Sequence, residues 1–93
     1  MDELDVRQRN NHMGREYKIL CKPTEGAALH QLLRKLPPPF HRPQMQELYN
    51  YRVDDDGYYL VDHLIDRSVA ATALQVFLDE ALSNAESVAI IEP

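Results

Sequence analysis

Along this chain the spacing of apolar residues switches between a period of two and a period near 3.6, so that four strand-like runs enclose two helix-like ones. This alternation restricts the fold more than composition does. A period-two run buries one face of a sheet and a 3.6-period run buries one stripe of a helix. The order of the runs then limits how the layers can stack.

Residues 16–22 set Tyr17, Ile19 and Cys21 against Glu16, Lys18, Leu20 and Lys22, a strand that Pro23 stops. Thr24 follows as the expected N-cap of a helix over residues 25–36, where Leu29, Leu32, Leu33 and Leu36 fall on one stripe. Arg34 and Lys35 suit the negative end of that helix, and Pro37-Pro38-Pro39 ends it. Residues 37–47 read as a Pro-rich connection, with one helical turn opened by Pro43. Two β-rich runs in residues 49–64 flank Asp54-Asp55-Asp56-Gly57, which has the composition of a hairpin turn. A three-residue loop with a Gly bulge would pair Val53 with Tyr59, and a tighter turn would pair it with Tyr58 or Leu60. Asp66 or Ser68 caps a second helix to about Ser83, and residues 87–91 form a last strand bounded by Pro93.

The order β-α-β-β-α-β predicts an α+β sandwich of ferredoxin-like type, a four-stranded antiparallel sheet with both helices on one face. The expected organisation is one domain over residues 14–93 behind a flexible polar arm, residues 1–13, whose few apolar groups (Leu4, Val6, Met13) bury little. Cys21 is the single cysteine, which excludes an intrachain disulfide and fits a reducing, cytoplasmic setting. No secretory-leader pattern opens residues 1–13, and no apolar run nears the roughly 20 residues of a membrane span.

Charge divides unevenly. Residues 1–52 hold nine Lys/Arg against six Asp/Glu, a balance of +3, whereas residues 53–93 hold Arg67 alone against nine acids, a balance of −8, for a total of −5. The basic side offers Arg7, Arg9, Arg15, His30, Arg34, Lys35 and Arg42, with His12 and His41, as a candidate surface for the phosphates of a nucleic acid. The competing reading is a solvated polar face. On the acidic side, Asp79 and Glu80 oppose the dipole of the second helix, which suits a basic partner, a second copy of this chain included.

All five tyrosines fall in expected strands, and Tyr49, Tyr51, Tyr58 and Tyr59 are candidate interface residues. Tyr49 and Tyr51 share a face with Val53, while Tyr58 and Tyr59 point to opposite faces. Strand propensity with partial burial, a dimer interface, and a base-stacking platform are the three readings. Asp54–Asp56 with Asp62, His63 and Asp66 raise a metal-dependent reading, but calcium-loop spacing is missing and Asp62 and His63 diverge. Cys21 with His63 or His30 raises a thiolate–imidazole reading that no motif supports. No phosphate loop, CxxC, HExxH or GxSxG is present.

The resulting expectation is a small homodimeric regulatory or accessory module that binds without catalysis and without a cofactor. Its leading partner is nucleic acid, met through the arm and first helix. The alternatives are an acidic adaptor or inhibitor module for a basic protein, and a metal-dependent enzyme using the Asp54–Asp66 region.

Overall fold

The computed structural model describes residues 14–37 and 48–93. The elements follow as β1 (Arg15–Leu20), α1 (Gly26–Arg34), β2 (Tyr49–Asp54), β3 (Gly57–Asp62), α2 (Arg67–Ser83) and β4 (Ala89–Ile91). The strands form one antiparallel sheet in the order β2-β3-β1-β4, so β1 and β3 are central while β2 and β4 are edges. Each helix joins two strands that are not neighbours: α1 carries the chain from β1 past β3 to β2, and α2 carries it from β3 past β1 to β4.

Register assigns the faces. Ile19 stands opposite Tyr58, Tyr17 opposite Leu60, and Val53, Tyr51 and Tyr49 opposite Tyr58, Leu60 and Asp62. Ile19, Tyr49, Tyr58 and Leu60 from this face bury together with Leu32 of α1 and with Ala70, Ala73, Phe77 and Ala81 of α2. Both helices therefore pack on the same side of the sheet. Small residues at three of the four buried α2 positions bring that helix close to the strands, and Phe77 fills the gap. Its ring stacks on Tyr58 at 5.0 Å and meets Tyr51 at 5.6 Å, tilted by 46°. The other face carries Glu16, Lys18 and Leu20 of β1, Tyr59 and Val61 of β3, and Asn50, Arg52 and Asp54 of β2.

Asp54 pairs with Gly57 across a two-residue turn, which sets Val53 against Tyr58 and excludes the longer bulged loop. Gly57 has φ +148°, and a Cβ placed there would stand 1.9 Å from the Ile19 carbonyl oxygen. The close approach of β1 leaves room for a backbone alone.

Several element ends differ from the expectation. α1 starts at Gly26, with Glu25 in the cap position and no side-chain cap. Thr24 is drawn away by tertiary bonds: its hydroxyl donates to Glu80 at 2.5 Å and its amide to the Tyr58 hydroxyl at 2.9 Å. Helical structure ends at Arg34 because Leu36 precedes a proline, and the Lys35 and Leu36 amides bond tightly to the Leu32 and Leu33 carbonyls. β1 ends at Leu20, and the Cys21 amide turns to the Asp56 carbonyl at 3.1 Å. β4 is limited to Ala89–Ile91. Of the two caps expected for α2, Asp66 takes the position and accepts from the Val69 amide at 3.2 Å, while Ser68 lies within the helix.

Candidate functional site

The apolar stripe of α1 faces the core, which turns Ala27, Ala28, His30, Gln31, Arg34 and Lys35 to solvent. None of His30, Arg34 and Lys35 forms an ion pair with a described residue. Arg34 closes the helix as its only basic group in the last turn, and Lys35 follows in the cap position. Arg15 is exposed at the start of β1, opposite Asp62 in the ladder. Arg7, Arg9 and Arg42, with His12 and His41, lie outside the described residues.

The uncovered sheet face uses its charges differently. The Lys18 ammonium sits between Asp54 at 2.9 Å and Asp56 at 2.7 Å. The Arg52 guanidinium donates through Nε and Nη2 to Asp54 at 2.6 and 3.1 Å, and stands 4.4 Å above the Tyr59 ring. Bonds from Arg52 first and Lys18 second pull the Asp54 carboxyl down to about 2. Lys18 likewise holds Asp56 below the usual carboxylate range, while Asp56 and Asp54 raise Lys18. Burial, then a bond with Glu16, pushes the Tyr59 hydroxyl upward. Two cations and two carboxylates neutralise one another here, and the one tyrosine ring on this face already carries a guanidinium. A base-stacking platform needs bare rings and unpaired cations, and among the described residues this face presents neither.

The four candidate interface tyrosines separate. Tyr49 and Tyr58 lie buried in the core, where Tyr49 donates to the Pro37 carbonyl and burial pushes its hydroxyl up to about 12. Neither offers ring surface to a partner. Tyr51 is 42% exposed on the helix-bearing face, beside Phe77, and Tyr59 stands alone on the open face.

The acidic residues also disperse. Asp54 and Asp56 lie at the turn end of β3, whereas Asp62 lies at the other end, about 17 Å away at a strand rise of roughly 3.3 Å per residue. Asp62, only 4% exposed, accepts from the Leu64 amide at 2.7 Å and stands 3.8 Å from the Arg67 Nε. That bond fixes a short turn in which Leu64 adopts φ +64°. Among the described residues no group of three His, Cys, Asp or Glu side chains is placed to hold a metal ion.

Cys21 and His63 sit at opposite ends of the central strands, and His63 Nε2 lies 2.5 Å from Asn50 Oδ1. His30 is on the solvent side of α1. Cys21 instead walls a cavity of about 410 Å³ with Leu20, Pro23, Ala81, Asn84 and Val88. Burial pushes its thiol above the ordinary value, the opposite of what an activated nucleophile needs. Sequence reasoning missed this cavity and the Lys18 carboxylate bridge. For Lys18 the signal was its position on the polar side of an alternating strand, but its partners depend on strand register. Comparison of the chain with protein-family models, curated proteins and solved structures finds no match.

Proposed function

We propose that this chain is a small non-catalytic binding module that recognises an anionic macromolecule, nucleic acid first, through the outward side of α1 and the basic residues of segments 1–15 and 38–47. The observation that carries this reading is the contrast between two sets of cations. Lys18 and Arg52 are neutralised by Asp54 and Asp56, whereas Arg34 and Lys35 project from α1, on the same outward side as His30, without a carboxylate among the described residues. A helix edge presenting an arginine fork and an ammonium suits a phosphodiester backbone, which it would grip electrostatically and with little sequence preference. The net charge of −5 makes such binding dependent on orientation and sensitive to salt. A ferredoxin-like arrangement belongs to the same proposal. It is supported by the element order and by the two interleaved split β-α-β connections on a single helix layer.

Titration of labelled single- and double-stranded oligonucleotides tests the reading. Binding is expected at low salt and should weaken at physiological salt. Replacing Arg34 and Lys35 together by Glu should reduce low-salt affinity roughly tenfold or more. An absence of binding at low salt overturns it. A second reading, docking of a basic protein, rests on α2, whose last turn holds no basic residue and whose Asp79 is exposed. It predicts capture of a Lys-rich peptide that Asp79→Lys abolishes.

A further inference from the structure

The two edges of the sheet are built differently. β2 carries Asn50, Arg52 and Asp54 along one face, charged and polar groups of the kind that keep an edge strand from pairing with another chain. Among the described residues β4 has no such protection. Its three residues, Ala89, Ile90 and Ile91, are all exposed, the two isoleucines by 45% each, and the run contains no charge, proline or bulge. Ile90 stands opposite Ile19 and so points to the helix-bearing side, whereas Ala89 and Ile91 stand opposite Leu20 and Lys18 and point to the open side. The outer edge of β4 thus offers a row of backbone donors and acceptors with an isoleucine on each face.

We propose that β4 pairs antiparallel with β4 of a second copy about a two-fold axis at Ile90, joining two four-stranded sheets into one of eight strands. The register is self-complementary. Ile90 meets the partner's Ile90 on the helix side, Ala89 meets the partner's Ile91 on the open side, and Val88 meets the partner's Glu92. No like charges stand opposite each other, since Glu86 and Glu92 flank the apolar centre. A charged peptide would find no countercharge on residues 89–91. In the arm of residues 1–13, Leu4 and Val6 would share one face of an extended run with Asp5 on the other, so that pair covers one isoleucine and not both. A contact of this length is smaller than a standard interface, so association is concentration-dependent, in the micromolar range or weaker. The proposal is independent of the anion-binding reading of α1.

Light scattering after size exclusion, from about 1 to about 500 µM, tests the dimer. The mass is expected to rise from 10.8 kDa toward twice that value. Ile91→Glu, at a position 45% exposed on the edge and outside the core, should move the transition to at least about tenfold higher concentration. Crosslinking tests the register independently. In a Cys21→Ser background, mild oxidation should crosslink Ile90→Cys at least about five times as efficiently as Ile91→Cys, because only position 90 meets its own copy. Monomer mass at every concentration overturns the proposal, as does a dimer indifferent to Ile91→Glu or equal crosslinking at the two positions. Dimerisation that appears only after residues 1–13 are removed also overturns it, by placing the arm on the edge.

Discussion

At Gly57 two demands meet in one residue: a backbone angle in the glycine-favouring region and a space bounded by the Ile19 carbonyl. Gly57→Ala is expected to destabilise the domain by roughly 3 kcal/mol or more, because the methyl group must displace the backbone of β1 as well as strain its own. Gly26→Ala is the matched comparison. Its φ is +64° but nothing lies within 4 Å of the added carbon, so the cost falls to about 1–2 kcal/mol. Equal urea midpoints for the two variants would contradict this account. Asp54 has a consequence for acid stability. Its carboxyl is held at about 2 in the folded chain by Arg52 and Lys18, below its value in an unfolded chain, so the unfolded state binds the proton first. The stabilisation is present above about pH 4 and is lost as pH falls through about 2. Denaturant midpoints measured across that window should decline, and Asp54→Asn should flatten the decline while lowering stability at neutral pH.

At the scale of elements, α2 organises the core. Its buried positions Ala70, Ala73, Phe77 and Ala81 press on Tyr58 and Ile19, and Phe77 is the one large side chain among them. Phe77→Ala is expected to cost about 3–5 kcal/mol, enough to unfold much of a marginal domain, whereas Phe77→Leu should cost far less because most of the volume remains. Thermal unfolding followed by circular dichroism distinguishes these outcomes. The elements themselves were legible before the structure: Leu29, Leu32, Leu33 and Leu36 announce α1, and Asp66 announces the start of α2. Their ends were less so. Thr24 has the chemistry of an N-cap but bonds instead to Glu80, which is 56 residues away. No local rule anticipates a partner that remote in the chain.

Across the whole molecule, the division of charge between the two halves of the chain does not become a division in space. Lys18 and Arg52 from the basic half meet Asp54 and Asp56 from the acidic half on one sheet face, whereas Arg34 and Lys35 at the end of α1 meet no carboxylate among the described residues. The oligonucleotide titration and the β4 dimer therefore address separate surfaces, and either can fail without the other. The sequence by itself determined the kinds and order of the elements, the pairing of Tyr49 with Tyr51 on one face and the opposition of Tyr58 to Tyr59. These follow from periodicity and from local conformational preference. Only the tertiary structure decided the hairpin register, the burial of Tyr49 and Tyr58, the separation of Asp54 from Asp62, and the exposure of Ile90 and Ile91 on an edge. Each of these depends on which strands become neighbours, and that is set by packing between residues far apart in the chain.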